Sequence, residues 1–314
     1  MKKTFCIVLL AMFALTFLFG CAGEKNDVVQ INPYPDSQDT DIKEMTLYYG
    51  DPTGKYLIGE TIEKQVPSNI TVEEYALQKL ISGPEKSRAD KKSLINPSTS
   101  VISVDKSSGI MTVTFSVEFN KWGFLGVKSD SELLRLKAAA VYSVVNTMIE
   151  LTGCSRVQIL VENDGAGSGR RLFSEEMGLS VDSADILGPL EWNGDYVLTP
   201  KNLMKYMLSS ILKKDYETVY TMIAYEDING EKPGKSAFIE SMDNGISLEN
   251  YEIGDYTVSS SGKNACVFIN YAMKNAAGER RARGVIPVAL VNEDGAWKVE
   301  YSKFKEVFVE QVSV

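Results

Sequence analysis

The sequence contains no histidine among its 314 residues, and this absence excludes more chemistry than any other feature of the composition. Without imidazole there can be no Ser-His-Asp triad, no Cys-His dyad, no histidine-ligated zinc and no histidine general base. Carboxylates, lysine, tyrosine and cysteine remain as catalytic groups, and we find no motif that pairs a nucleophile with a base. We therefore expect a protein that is not an enzyme and that has no cofactor, metal or catalytic residues.

Positive charge is also scarce, because 33 basic side chains are set against 42 acidic ones, for a formal net charge of −9. Proteins that bind nucleic acid carry a basic footprint for the phosphates. We therefore expect no nucleic-acid partner. The length and the hydrophobic fraction of 44% indicate about two packed globular domains.

Cysteine is rare, with four residues in the chain. Cys6 lies within an N-terminal apolar run, and Cys21 follows shortly after that run. Only Cys154 and Cys266 therefore belong to the part of the chain that is expected to fold. These two fall in different predicted domains, so a disulfide between them would need a close approach of their Cα atoms. Their apolar neighbours favour buried free thiols instead.

The N-terminal apolar run predicts a secretory signal peptide over residues 1–20. Met1-Lys2-Lys3 is a short basic start, and the apolar stretch from Thr4 to Phe19 is shorter than the roughly 20 residues that span a bilayer. Leu18-Phe19-Gly20-Cys21 resembles the bacterial lipobox, in which the cysteine is acylated before cleavage in front of it. An uncleaved anchor helix is the alternative.

The lipobox resemblance implies a lipid on Cys21 that attaches the protein to the extracytoplasmic face of a bacterial cell membrane. Several acyl chains on one cysteine give stable attachment. Residues 21–43 follow as a polar, proline-containing stretch without apolar periodicity, which predicts a tether between this anchor and the folded part.

Residues 44–194 are predicted to form the first domain, with strands and helices in the order β-β-α-β-β-α-β. The order indicates helices packed on one face of a mixed sheet. Thr71 and Glu74 form a capping box that starts the first helix. The predicted strands are Met45–Tyr49, Lys55–Ile58, Val101–Val104, Ile110–Phe115 and Val157–Val161, and the predicted helices are Glu73–Ser82 and Ser131–Leu151.

Several segments of this domain resemble a GerM domain: Tyr48-Tyr49, Gly54 with Tyr56-Leu57, Ala76 to Pro84, Pro97 to Val104, Gly109 to Phe119, Val145 to Thr147, and Val157 to Val161. Thr114 departs from the pattern, which expects an acidic residue before Phe115-Ser116. The resemblance implies a secreted or lipid-anchored bacterial protein of sporulation or germination, similar to ring-building modules of extracytoplasmic complexes and without catalytic residues.

Residues 195–314 are predicted to form an α+β domain in which helices precede an antiparallel meander. The pattern is similar to nuclear transport factor-like (cystatin-like) domains, which implies a curved antiparallel sheet that wraps helices around a conical pocket. The predicted helices are Pro200–Lys214, Asp215–Ile223 and Lys235–Asp243, and the predicted strands are Leu248–Val258, Ala265–Met273, Val285–Asn292 and Trp297–Tyr301.

Two groups of side chains are candidates for partner binding. Trp122 and Phe124 lie in an aromatic loop, where they either cover the core or anchor a partner. Arg280, Arg281 and Arg283 lie in a predicted hairpin loop, where they either protect a solvated sheet edge or contact an acidic partner.

The sequence gives weaker evidence for anion-binding or catalytic residues. The glycine-rich segment 165–171 lacks the spacing of both the P-loop and the dinucleotide fingerprint. Acid-base groups are available in the second domain, but tyrosines on helix faces are usually core residues. The candidates are Asp215, Asp227, Tyr216, Tyr220 and Tyr225.

Three functional hypotheses follow. The first is a non-enzymatic, lipid-anchored extracytoplasmic protein that contributes protein–protein contacts to a sporulation- or germination-associated envelope complex. The second is a small-ligand-binding or sensor lipoprotein that uses the pocket of the C-terminal domain. The third is a pocket enzyme with a carboxylate base.

Overall fold

The structure is a computed structural model that describes residues 42–85, 91–127, 129–163, 168–180, 185–225, 232–243, 247–274 and 280–309. The predicted signal peptide, Cys21 and most of the predicted tether lie outside these residues. Asp41–Val314 forms one compact unit of α+β architecture with three sheets. None of the helices in the described ranges combines the length and the apolar character that a membrane-spanning helix needs.

A two-stranded antiparallel hairpin opens the fold. Strand β1 (Ile42–Gly50) pairs with β2 (Leu57–Gln65), and Gly50 lies opposite Leu57 at the tip. Asp51 organises this tip, because its Oδ1 accepts hydrogen bonds from the backbone N–H groups of Lys55 (2.6 Å) and Tyr56 (3.0 Å). This Asx-type turn extends through Tyr56. The prediction that β2 begins at Lys55 was therefore wrong by two residues.

Helix α1 (Val72–Ser82) begins where the capping motif predicted. The Thr71 hydroxyl oxygen accepts a hydrogen bond from the backbone N–H of Glu74 at 3.1 Å. The helix ends at Gly83, whose φ of +89° suits glycine.

The first domain contains a four-stranded mixed sheet in the order β3-β4-β5-β6. Strands β4 and β5 run parallel, so their connection must cross over, and helix α2 (Asp130–Thr152) makes this crossover. Helices α1 and α2, the hairpin and the sheet enclose one hydrophobic core. The strands are β3 (Val101–Ser107), β4 (Ile110–Phe115), β5 (Arg156–Glu162) and β6 (Gly169–Arg171).

The second half has helices followed by an antiparallel sheet in the order β10-β9-β8-β7. Irregular registers within the β7–β8 and β8–β9 pairs are typical of bulges, which bend a sheet. The helices are α3 (Pro200–Leu212), α4 (Tyr216–Thr221) and α5 (Lys235–Asp243), and the strands are β7 (Ser247–Val258), β8 (Asn264–Lys274), β9 (Arg280–Glu293) and β10 (Ala296–Lys298).

Two predictions in the second half were wrong. The segment before Val285 was predicted as a loop, but β9 already begins at Arg280 and pairs with β8. The last predicted strand continued to Tyr301, but β10 ends at Lys298 and a helical segment follows. That segment consists of helix α6 (Tyr301–Phe304) and a π-helical turn over Lys305–Val309.

The C-terminal helical segment fills the second core. Phe304 and Phe308 are fully buried one helical turn apart, with ring centroids 5.2 Å from each other. Phe304 also contacts Phe238 of α5 at 5.4 Å, and Phe308 contacts Tyr271 of β8 at 5.6 Å. These rings therefore occupy the space between a helix and the sheet.

The hairpin tip belongs to both cores. Leu57 lies in the first core, whereas Tyr56 and Ile58 on either side of it lie in the second. This division follows from the alternation of side chains along an extended strand. The carbonyl of Leu57 also accepts a hydrogen bond from the backbone N–H of Leu198 at 2.8 Å. Whether the domain boundary falls at residue 194, as the sequence indicates, stays a prediction.

The turn between β9 and β10 contacts the hairpin at one place, where Gly295 of the turn meets Gly59 of strand β2. Asp294 and Gly295 both have positive φ angles (+51° and +89°), which is typical of a type I′ turn. A Cβ atom added to Gly295 would lie only 1.8 Å from the carbonyl oxygen of Gly59. The two parts of the chain can therefore meet here only because residue 295 has no side chain.

We predict that Gly295→Ala destabilises the protein far more than Gly262→Ala. Both glycines have positive φ, so each alanine should cost about 1–2 kcal/mol of backbone strain. A Cβ on Gly262 meets no atom within 4 Å, whereas one on Gly295 adds an overpacking cost of about 1–3 kcal/mol. Urea unfolding of both variants and the wild type measures the difference. Equal losses of stability would contradict the glycine contact.

Candidate functional site

A cleft of about 590 Å³ lies where the first hairpin meets the second half. One wall is strand β2, from Gly59 to Lys64. The opposite wall comes from two turns of the antiparallel sheet, at Gly262-Lys263 and at Asn292 to Gly295. Glu85 and Lys91 complete the lining. The cleft therefore exists only where both parts of the chain come together.

A buried ion pair forms the floor of this cleft. The Nζ atom of Lys91 lies 2.9 Å from Oε2 of Glu60, and their side chains are only 1% and 9% exposed. Lys91 also donates a hydrogen bond to the backbone carbonyl of Asp294 at 2.7 Å. Removal of one partner from such a pair leaves an uncompensated buried charge. Lys91 thus connects the hairpin to the second half by a polar contact.

The outer part of the cleft carries further ion pairs. Glu85 lies 2.6 Å from the Nζ atom of Lys64 and 2.8 Å from that of Lys79. Hydrogen bonds from Lys64 first, and then from Lys79, lower the pKa of the Glu85 carboxyl. In the part of the chain that the structure describes, no group of three histidine, cysteine or acidic side chains could hold a metal ion. Two of the acids that line the cleft, Glu60 and Glu85, are thus paired with lysines.

The structure separates the two residues of the aromatic loop. Trp122 is only 8% exposed, its ring meets Phe119 edge-on at 5.9 Å, and its Nε1 donates to Oδ1 of Asn120 at 3.0 Å. Phe124 is 38% exposed. Trp122 is therefore placed as a lid on the first core, while Phe124 is accessible. Partner binding by either residue stays a prediction.

The arginine cluster lies on a strand instead of in a hairpin loop. Arg280 opens β9, and its Nε donates to Oε2 of Glu249 at 2.8 Å. Glu249 also lies 2.7 Å from the Nζ atom of Lys274, so this carboxylate is shared by two cations. Arg281 and Arg283 follow on the same strand, opposite Met273 and Tyr271 of β8.

The acid-base candidates have structural roles. Asp215 caps helix α4, because its Oδ1 accepts a hydrogen bond from the backbone N–H of Thr218 at 3.2 Å. The Tyr220 hydroxyl donates to the carbonyl of Pro233 at 2.9 Å. Tyr216 is buried, and burial raises the pKa of its phenol. Asp227 lies outside the described residues.

Lys232 is a cation in a partly buried position. Its Nζ donates to the carbonyl of Ile223 at 2.8 Å and lies 4.1 Å from the ring centroid of Tyr220. Burial first, and then the nearby charge of Lys298, lower the pKa of Lys232 to about 8, against the opposing effect of Glu293. Since the charged ammonium makes the hydrogen bond to the carbonyl, this contact holds Lys232 in a structural position.

The remaining candidates are also placed. Residues 164–167 of the glycine-rich segment lie outside the described residues, and Gly169–Arg171 forms strand β6. Arg170 of that strand pairs with Glu176 at 2.9 Å. Cys154 is buried and Cys266 is half-buried, and both thiols are free, as predicted.

Sequence reasoning missed Glu60 and Lys91. They are 31 positions apart in polar stretches that indicate only a strand surface and a loop. Charged residues are almost never fully buried unless they are paired, and pairing over such a distance leaves no periodic signal.

Residues 46–166 match the Germane family, described as sporulation and spore germination. The tandem GerMN domains of the sporulation protein GerM from Bacillus subtilis are similar at 20% identity, over 48% of this chain and 46% of that one, with a TM-score of 0.34. This chain thus spans less than half of that structure.

Two further solved structures are similar over single domains. The first GerMN domain of the same Bacillus subtilis protein shows 22% identity over 38% of this chain and 84% of that one, with a TM-score of 0.29. An NTF2-like protein from Cytophaga hutchinsonii shows 21% identity over 31% of this chain and 87% of that one, with a TM-score of 0.24. No curated protein matches the chain.

We predict that the two aromatic residues of the loop respond differently to truncation. Trp122→Ala should lower the free energy of unfolding by about 3–5 kcal/mol, because it removes a buried indole from the first core. Phe124→Ala should cost about 1 kcal/mol or less, because its ring is largely accessible. Thermal and urea unfolding measure both effects. An unchanged melting temperature for Trp122→Ala would show that its ring does not support the core.

Proposed function

We propose, from the match of residues 46–166 to the Germane family of sporulation and spore germination, that the protein is a non-enzymatic component of a sporulation- or germination-associated envelope complex. It contributes protein–protein contacts on the extracytoplasmic face of a bacterial cell membrane, to which a lipid on Cys21 attaches it. The family match of this domain is the observation that carries the proposal.

The placement of the polar residues supports a contact function. Asp215 and Tyr220, two of the acid-base candidates that the structure describes, serve as a helix cap and as a donor to a backbone carbonyl. Phe124 remains accessible at the rim of the first core. The side chains that are available on the surface are thus suited to contact.

The anchor rests on the sequence Leu18-Phe19-Gly20-Cys21. Acylation at this cysteine would hold the folded part near the membrane through the stretch up to residue 43. Cleavage before Cys21 would remove Lys2 and Lys3 and change the net charge from −9 to about −11, which would keep the folded part away from anionic headgroups. Such a protein presents its surfaces to other extracytoplasmic proteins.

A small-ligand or sensor function is the alternative. The pocket expected inside the second half is narrowed by Phe304 and Phe308, which pack between α5 and β8. A cleft of about 590 Å³ lies at the junction, with Lys91 and Glu60 on its floor, and it offers a second place for a ligand.

We predict that Cys21→Ala abolishes membrane attachment. The variant should accumulate as unprocessed precursor or as released protein, because the acyl chains provide the attachment. Cell fractionation and mass spectrometry of the mature N-terminus measure the outcome. Cys6→Ala is the matched control, since it changes a cysteine within the predicted signal peptide and should leave fractionation unchanged. Unchanged fractionation of Cys21→Ala, with no acyl mass on the wild type, would overturn the anchor.

We also predict that the acid-base candidates are dispensable. Asp215→Asn keeps a good N-cap, and Tyr220→Phe loses one hydrogen bond worth about 1 kcal/mol, so both variants should fold. With Asp227→Asn, they should sustain normal spore formation and germination in cells. A variant with wild-type melting temperature and wild-type partner recovery that nevertheless fails in cells would argue for catalysis.

A further inference from the structure

Strand β2 has an outer edge, turned away from β1, that carries its own row of backbone groups. Gly50 of β1 exchanges two backbone hydrogen bonds with Lys92, both at 2.9 Å, so its N–H and C=O groups face away from β2. The register of the hairpin is continuous and such groups alternate along a strand, so every second residue of β2 faces the outer edge. These residues are Leu57, Gly59, Thr61, Glu63 and Gln65.

The second half of the chain covers the beginning of this outer edge. The carbonyl of Leu57 accepts the hydrogen bond from the N–H of Leu198. Gly295 stands directly against the carbonyl oxygen of Gly59. From residue 61 onward, by contrast, no described residue outside the hairpin bonds to the backbone of β2. We call residues 61–65 the open edge.

The open edge borders the junction cleft. Residues 59–64 form one wall of that cleft, and two turns of the antiparallel sheet form the other. Its volume of about 590 Å³ lies within the range of about 300–1,000 Å³ that is typical of binding sites. Lys91 connects the two walls, because it contacts Glu60 on one side and the carbonyl of Asp294 on the other. The cleft is therefore preformed, which lowers the ordering cost of binding.

Backbone groups at a strand edge are aligned for pairing with another extended chain. A peptide in the cleft would exchange hydrogen bonds with Thr61 and Glu63 and would add a third strand to the hairpin. Two-stranded hairpins gain from such an addition, because a pair of strands alone is only marginally stable.

The exposed face of the hairpin favours a basic segment at the open edge. Glu44 and Glu63 lie directly opposite each other and are both exposed, an arrangement of like charges that destabilises a strand pair. Neither carboxylate forms an ion pair within the described residues. The strand lysines, Lys43 and Lys64, lie on the other face because side chains alternate, and Lys263 across the cleft pairs with neither acid. A cation beside Glu63 on an added strand would relieve the repulsion.

The neighbouring positions favour β-branched side chains in the added strand. The Thr61 hydroxyl lies 3.1 Å from the Thr46 hydroxyl on the exposed face. Ile62, on the other face, is partly buried and packs against the first core. Cross-strand pairs of threonine with threonine and of apolar with apolar residues stabilise sheets.

We propose that the open edge binds an extended segment of a partner protein as a third strand. Lysine, arginine or threonine of this segment lies on the face of Glu63, and apolar side chains lie on the face of Ile62. In a symmetric pair of copies, each open edge would enter the other cleft together with the turns that stand beside it, so a single strand fits this space better. The proposal deepens the contact function proposed above and rests on it for the biological setting.

The test measures binding of a fluorescein-labelled heptapeptide to the purified full chain by fluorescence anisotropy. The peptide alternates lysine or threonine with valine, and two derivatives carry N-methyl groups on either the odd-numbered or the even-numbered amides. Because only every second amide of an added strand faces β2, one derivative should bind like the parent and the other about tenfold more weakly. Equal affinities of the two derivatives would overturn the proposal, and so would failure of the parent peptide to bind.

Thr61→Pro tests the edge from the side of the protein. It removes an N–H donor at the open edge but none from the pairing with β1, so the hairpin should stay folded. The parent peptide should bind about two- to tenfold more weakly. Thr61→Val is the matched control, since it keeps the N–H group and should bind like wild type.

Equal peptide affinities of folded Thr61→Pro and Thr61→Val would contradict pairing at the open edge. Thermal unfolding checks that both variants fold. If Thr61→Pro does not fold, the methylated peptides decide the question with wild type alone.

Glu63→Lys tests the charge of the segment. Wild type should bind the lysine peptide about two- to fivefold more tightly than a version with glutamate in place of lysine, and the variant should reverse this preference. Glu252→Lys is the matched control, because it changes net charge equally at an exposed glutamate of strand β7 and should keep the wild-type preference. Reversal by both variants would indicate unspecific attraction and would overturn the assignment of a basic segment.

Sedimentation of wild type at rising concentration tests a second copy as the occupant. We expect no dimer that Thr61→Pro disrupts. Such a dimer, together with no peptide binding, would overturn the partner assignment in favour of a second copy. Failure of the Cys21 experiment would affect only the anchor, whereas failure of the peptide assay would affect only the open edge, because that assay needs no membrane.

Discussion

The whole structure depends on the hairpin of β1 and β2, because this hairpin contributes buried side chains to both hydrophobic cores. Leu57 enters the first core while Tyr56 and Ile58 enter the second, since neighbouring side chains of an extended strand point to opposite faces. The hydrogen bond from Leu198 to Leu57 aligns the chain that leads into the second half. A displacement of the hairpin by one residue would exchange the side chains between the cores.

The same hairpin positions two surfaces at the junction. Its strand β2 forms one wall of the junction cleft, and Lys91 beneath it binds Glu60 and the carbonyl of Asp294. Its tip holds Lys55 against Tyr206 and receives Arg135 of α2. Both surfaces combine residues of the two halves, so they form only after the halves have packed together. A partner that binds either surface would therefore recognise only the completely folded protein.

The chemistry of these surfaces is that of charge and packing. Glu85 is held by two lysines, Asp215 caps a helix, and the ammonium of Lys232 donates to a carbonyl. Groups engaged in this way stabilise the fold, and burial together with the charge of Lys298 lowers the pKa of Lys232 to about 8.

The sequence alone determined the features that depend on neighbouring residues. Thr71 caps α1, the Asp294-Gly295 pair forms a tight turn, and apolar periodicity locates α2, because each is a local property of backbone and side chain. The α+β class followed from the order of such elements, and the resemblance to GerM domains followed from short residue motifs within residues 46–166, which match the Germane family model.

Only the tertiary structure decided which distant residues meet. It buried Trp122 against Phe119, extended β9 back to Arg280, joined Lys91 to Glu60, and placed Lys55 over the ring of Tyr206. The predicted last strand ended at Tyr301, and no element was predicted for the helical segment that carries Phe304, because its apolar spacing covers barely two turns. Contacts between residues far apart in the chain depend on the packing energy of both cores together. This energy cannot be inferred from the pattern of neighbouring residues.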